Sequence, residues 1–327
     1  MSYKMIAELN KQEPKAMRDV FAATMTQIAE EDERIAYMDA DLMNSFGMVP
    51  FSKQFPERTI NCGIQEANMI GVAAGLSVTG KVPYVHTFGV FASRRVADQV
   101  FISAGFAKAN IRIIGSDPGI TASFNGGTHM PFEDMGMLRC IPGITVIEPT
   151  DSVMLADMIR QLKDTYGVYY IRLSRKNAVQ VYEEGSTFTI GKAALVREGT
   201  DVSILATGIC VADARTAAET LAKEGISARI VNMFTVKPVD RDEIEKCARE
   251  TGCIVTAENH NIIGGLGSAV AEALVETCPV PMERVGVQDQ FGEVGSVEYL
   301  KERFKLTPEE IVRKAKIAIA RKNKSGR

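Results

Sequence analysis

The chain has 327 residues, 46% of them hydrophobic, with 27 glycines and a formal net charge of -3. That length predicts two domains with a large core, and the charge offers no basic excess to attract nucleic acid or an anionic membrane surface. The six cysteines (Cys62, Cys140, Cys210, Cys247, Cys253 and Cys278) show no C-x-x-C spacing, which argues against zinc and disulfides and for reduced, cytoplasmic thiols.

The N-terminus mixes Lys4, Glu8, Lys11 and Glu13 with few apolar residues, and no apolar run reaches transmembrane length, so neither export nor a membrane span is expected. The first predicted strand is Arg34 to Asp39. After it, Gly63-Ile64-Gln65-Glu66 opens an apolar, small-residue helix with one carboxylate in its first turn. Such a helix is built for burial. The carboxylate complements the helix dipole, yet a buried one still needs a partner to offset its lost hydration.

The strand Val82 to Thr87 leads into Phe88 and Phe91, whose three-residue spacing lets both rings face one side, either as core or as the wall of a site. The strand Ile111 to Gly115 runs into a long glycine-containing loop, 116–131, that ends near His129. Loops at strand ends carry function more often than cores do, so structural and functional readings of His129 both stand. Strands at Ile144 to Glu148 and Val168 to Leu173 complete the first unit, and the polar stretch Arg175 to Ser186 reads as a linker.

Beyond it, strands are expected at Val202 to Thr207, Arg229 to Met233, Ile254 to Ala257 and Arg284 to Val287, with helices near 211–224, 240–251 and 265–276. Thr307-Pro308-Glu309-Glu310 starts a last helix, and Arg321 to Arg327 are expected to fray. The alternation predicts an α/β chain of two domains, 1–185 and 186–327, each a mostly parallel sheet flanked by helices, with ligand sites at strand C-termini.

In order and spacing, several marks together resemble the C-terminal subunit of a transketolase split into two polypeptides. They are Asp39-Ala40-Asp41-Leu42, Gly63-Ile64-Gln65-Glu66, Thr87-Phe88 with Phe91, Thr128-His129, Leu173-Ser174-Arg175 and Ile263-Gly264-Gly265-Leu266-Gly267-Ser268. The resemblance covers nearly the whole chain. It implies a pyrimidine-binding domain followed by a transketolase C-terminal-like domain, and thiamine diphosphate as cofactor. Glu66 then matches the glutamate that hydrogen-bonds N1′ of the aminopyrimidine and promotes its imino tautomer, Phe91 the ring that stacks on it with Phe88 beside, and Asp41 a carboxylate near the thiazolium. His129 matches the histidine that holds and deprotonates donor-sugar hydroxyls.

No Gly-Asp-Gly motif with a following Asn is present, although the family uses one to hold Mg²⁺ and the diphosphate. The resemblance therefore implies that a partner, the N-terminal transketolase subunit, supplies the metal ligands, with two copies of each chain and none of the ligands here. Arg18, Ser45 and Arg175 match three of four residues that hold a sugar phosphate in the family; Asp117 stands where the fourth, a histidine, belongs. Asn125 replaces an aspartate that reads a donor hydroxyl, and His86 replaces a small residue, either entering the channel or only packing.

The expectation is a two-carbon ketol transfer to an aldose from a ketose that is phosphorylated or otherwise anionic and has an unusual end. The alternatives are the beta subunit of a 2-oxoacid dehydrogenase decarboxylase component, which Leu173-Ser174-Arg175-Lys176-Asn177 disfavours, and a non-catalytic scaffold. Asp98-Gln99 is read as an interface or structural polar pair, Gly264-Gly265 and His260 as structural, and Lys314, Lys316, Arg321 and Lys322 as a solvated helix face.

Overall fold

The computed structural model describes residues 1–324. Within them the strands are β1 (Ile35–Asp39), β2 (Thr59–Asn61), β3 (Val82–Phe88), β4 (Ile111–Ser116), β5 (Ile144–Ile147), β6 (Val168–Leu173), β7 (Ala194–Arg197), β8 (Val202–Ala206), β9 (Ala228–Asn232), β10 (Thr235–Lys237), β11 (Ile254–Asn261) and β12 (Met282–Val287). Among the described residues they form one seven-stranded sheet, β10-β5-β6-β4-β3-β1-β2, and one five-stranded sheet, β12-β11-β8-β9-β7. Pairing is parallel except at β10 and β7. β1, β3 and β4 are buried along their whole length, as strands covered by helices on both faces must be, and so are mostly apolar rather than alternating.

Register sets the site. Asp39 of β1 lies opposite His86 of β3, and Phe88 of β3 opposite Ser116 of β4, itself opposite Leu173 of β6. The carboxyl ends of these four strands therefore open side by side, with the helix Glu66–Val78 packed beside β3.

Every expected strand and helix is present, with ends moved by a few residues at most apart from β11, which runs on to Asn261. Two features of the connection differ from expectation. The stretch 175–186 is no free linker: Gln12 bridges Val179, Met5 bridges Tyr182 and Ser2 bridges Thr187. The Asp151 carboxylate caps the helix Ser152–Asp164 through Met154 N and also accepts Val181 N and Tyr182 N, both at 2.9 Å. In addition, β10 follows four segments of the second unit yet pairs antiparallel with β5, so the C-terminal half completes the N-terminal sheet. Such short strands carry too little periodicity to be read from sequence.

The halves are also joined by buried charge. Arg172, fully buried, donates to Asp134 Oδ2 at 2.8 Å, to Glu148 Oε1 at 2.5 Å and to the carbonyl of Asn259 at 3.1 Å. In β11, Glu258 accepts Leu266 N at 2.6 Å and Gly267 N at 2.8 Å, capping the helix Leu266–Glu276. Burial nevertheless pushes its carboxyl up to about 7. A Cβ on Gly265 would lie 2.0 Å from Glu258 Oε2, so this glycine is required by packing, in line with the structural reading. His260 is fully buried and bonds the Asn261 carbonyl at 2.7 Å. The last helix, Pro308–Lys324, is capped by Thr307 Oγ1 at 3.3 Å from Glu310 N. It keeps 321–324 helical where fraying was expected, and 325–327 lie outside the described residues. No described helix is long and apolar enough to cross a membrane.

Replacing Arg172 with Leu leaves Asp134 and Glu148 buried without their cation. The expected loss is about 3–5 kcal/mol of unfolding free energy, read as a lowered midpoint in a urea titration.

Candidate active site

Glu66 is the first residue of its helix and only 3% exposed. Its Oε1 accepts Arg95 Nη1 at 2.7 Å and, more weakly, Thr87 Oγ1 at 3.5 Å. Arg95 follows Phe91 by four residues in a helical segment, so its guanidinium folds back over the ring, with Cζ 3.7 Å from the centroid. A planar, N–H-bearing cation is thus sandwiched against Phe91 and hydrogen-bonded to Glu66. The partner demanded by the buried carboxylate is, within this chain, Arg95. Sequence reading passed over it; the available signal was an arginine four residues after an aromatic, beside a carboxylate in need of a counter-charge.

Phe88 and Phe91 meet edge to face at 6.1 Å, and His129 packs edge-on to both, at 5.6 and 5.4 Å. Of the two readings of the end of β3, core or wall, the structure shows a wall, and it has three rings, the third delivered by the loop after β4. Arg94 steadies that delivery by donating to the Thr128 carbonyl at 3.2 Å and pairing in charge with Glu133 at 2.9 Å.

The loop itself is clamped by the second unit. Ile120 N donates to Asn259 Oδ1 at 3.0 Å, Asn259 Nδ2 donates to the Pro118 carbonyl at 2.9 Å, and Ser123 Oγ donates to the Gly295 carbonyl at 2.9 Å. Gly127 lies so close to Gly292 that a Cβ would sit 2.1 Å from its carbonyl oxygen. Asn125 is exposed on this loop, four residues before His129.

Beyond Phe88 lies Arg175, its Cζ 4.7 Å from that ring's centroid. Asp117, 1% exposed and held at φ 55, accepts Arg175 Nε at 2.6 Å and Arg175 N at 3.1 Å. Met17 N bonds the Lys176 carbonyl at 3.0 Å, which brings Arg18 to the same end of the sheet. Arg18 Nη1 donates to the Ser45 carbonyl at 2.8 Å, while Ser45 Oγ donates to the Leu42 carbonyl at 2.9 Å. Asp41, exposed at the end of β1, accepts Asn61 Nδ2 at 3.2 Å.

For His86, where channel entry and packing both stood open, the structure shows packing: its side chain is 1% exposed and both ring nitrogens are engaged, Nδ1 by Asp39 and Nε2 by Ser116, each at 3.1 Å. Phe46 stacks on it at 3.5 Å, and burial holds its pKa below the usual imidazole value. It is a packing residue that fixes Ser116, the neighbour of Asp117.

Taken as chemistry, the arrangement offers a flat apolar face with one hydrogen-bond-accepting carboxylate at its edge, then a histidine, then an arginine pair. No cluster of three or more His, Cys, Asp or Glu able to hold a metal occurs among the described residues.

Two family models match the chain: the transketolase pyrimidine binding domain over residues 13–180 and the transketolase C-terminal domain over 191–311. A protein of Clostridium sp. (strain MSTE9) described as a 6-deoxy-6-sulfo-D-fructose transketolase subunit is 53% identical, the match covering 96% of this chain and 97% of that one. A putative transketolase C-terminal section of Methanocaldococcus jannaschii is 38% identical over 92% of this chain and 95% of its own length. A solved structure described as a split gene transketolase, inactive beta4 tetramer, superimposes with a TM-score of 0.88 at 38% identity, over 95% of this chain and all of that one.

Arg95→Ala leaves Glu66 with Thr87 as its remaining side-chain partner. Because Arg95 is half exposed, the expected loss is about 1–2 kcal/mol, below that of a fully buried pair. A urea titration of the Glu66→Gln, Arg95→Ala double variant should show much less than the sum of the two single losses.

Proposed function

The chain belongs to the transketolase family, and on that premise we propose how its residues divide the work with a partner subunit. The chain is a C-terminal transketolase subunit, a member of a family that works with thiamine diphosphate. When bound, that cofactor supplies the carbanion equivalent that takes a two-carbon ketol unit from a ketose and hands it to an aldose.

The observation that carries the reading is the guanidinium held between Glu66 and Phe91. It marks a slot for a flat, π-stacking, hydrogen-bonding group, and the aminopyrimidine end of the cofactor is such a group. Phe91 would bear the ring face and Phe88 back it, while the Glu66 carboxylate would hold the proton at N1′ and so favour the imino form. In this dry position one hydrogen bond counts for much more than in water. Arg95 must leave the ring face when the pyrimidine arrives.

The donor set here fits only that half. A diphosphate with its Mg²⁺ needs oxygen ligands, and no described cluster provides them. We assign them to the N-terminal subunit, with Asp41 facing it near the thiazolium, in an assembly of two chains of each kind. The tetramer of similar chains described as inactive supports the division.

His129, against the ring wall, would accept a proton from a donor hydroxyl, with Asn125 reading a neighbouring hydroxyl. Arg18, Ser45 and Arg175 would hold the far end of the sugar. From the 53% identical relative we carry over its named donor, 6-deoxy-6-sulfofructose, whose far end is a sulfonate.

Two outcomes test this. The chain alone should turn over no ketose and should gain activity on mixing with the N-terminal subunit. In the assembled enzyme, Glu66→Gln should slow C2 proton exchange of bound thiamine diphosphate by about a hundredfold or more, measured by deuterium exchange, while calorimetry still shows the cofactor bound. Unchanged exchange would remove Glu66 from this role.

A further inference from the structure

Asp117 is the buried carboxylate seated against Arg175 at the far end of the site, and its geometry is specific. Its Oδ2 takes Arg175 Nε at 2.6 Å and its Oδ1 takes the main-chain N of the same residue at 3.1 Å. That grip occupies the Nε side of the guanidinium and leaves its Nη atoms for a ligand, while Phe88 supports the plane at 4.7 Å. The carboxylate is 1% exposed, so water screens it little. It therefore stands one guanidinium away from any anion that Arg175 holds. Arg18 already spends one Nη on the Ser45 carbonyl, and its Nε lies 3.6 Å from Asp19, a partly exposed pair of little weight.

We propose that Asp117 sets the charge class of the substrate's far end: by cancelling one of two arginine charges it admits a singly charged tetrahedral group, such as a sulfonate, and disfavours a doubly charged phosphate. The proposal rests on the reading above that the donor's far end lies at Arg18 and Arg175. It adds which residue discriminates, and how. Sulfonates carry one negative charge at all physiological pH, whereas phosphate monoesters carry nearly two. A buried carboxylate beyond the binding guanidinium repels the second charge about as much as the first, so the penalty on a dianion is roughly double that on a monoanion. Sulfonate oxygens still receive charge-assisted hydrogen bonds from the free Nη atoms. Asp117 touches no reacting atom; it is a positioning and selectivity residue acting through Arg175.

The test uses the assembled enzyme, this chain with its N-terminal subunit, thiamine diphosphate and Mg²⁺, and two donors of equal length: 6-deoxy-6-sulfofructose and its 6-phosphonate isostere at mildly alkaline pH, where the phosphonate is doubly ionised. The wild type should favour the sulfonate in kcat/KM. Asp117→Asn, which keeps the size and tolerates positive φ, should shrink that preference about tenfold or more. The change should lie in the KM of the phosphonate, with kcat little altered; a merely structural defect would lower kcat for both donors alike. Asp117→His should move selectivity in the same direction and gives the answer if the asparagine variant does not assemble. A sulfonate preference that survives both substitutions overturns the role of Asp117 while leaving the substrate reading intact. No sulfonate preference in the wild type overturns both.

Discussion

A carboxylate that the fold buries at the start of an apolar helix is the constraint around which this molecule is arranged. Glu66 cannot be left bare at 3% exposure, and the helix it begins, lined with alanine and glycine, offers only main-chain N–H groups. The chain answers with Arg95, laid flat on Phe91. What makes this informative is the shape of the answer: a single buried acceptor above an aromatic face is satisfied by any planar cation or N–H-bearing ring, and the resident guanidinium is half exposed and so able to leave. A carboxylate whose only purpose was to cap its helix would not need an aromatic platform beside it.

The second α/β unit contributes none of the residues assigned to the reaction, yet the site depends on it. Asn259 grips both sides of the turn at Pro118 and Ile120, and Gly292 presses on Gly127 so closely that no side chain fits. Together with the Arg172 network, these contacts decide where Asp117 and His129 come to rest at opposite ends of one loop. A domain without chemistry of its own thereby fixes the distance between the sugar-end charge and the ring wall. β10, crossing over to complete the first sheet, makes the arrangement difficult to take apart.

Much of this was legible in the residues. The strands β3, β4 and β6 stood out as short runs rich in β-formers, and the functional loop announced itself by its length after β4. Phe88, Phe91 and His129, noticed for their places at strand ends but given site roles by the family resemblance, do converge on one wall. What could not be read were relations made by tertiary placement. Thr235–Lys237 is too short to show a period, and only the structure reveals its partner strand. His86, in place of a small residue, could enter the channel or only pack; both faces of β3 are buried, so no side of the strand was open to it. The partnership of Asp117 with Arg175 spans two strands and is invisible in either segment alone, although the presence of an acid near an expected anion was a warning of it.

The most direct test is a structure of the assembled enzyme with thiamine diphosphate bound. The account predicts that the aminopyrimidine lies on the Phe91 ring with N1′ within hydrogen-bond distance of Glu66, and that the Arg95 guanidinium has moved off the ring to another partner. A cofactor seated elsewhere, with Arg95 still between Phe91 and Glu66, would contradict it.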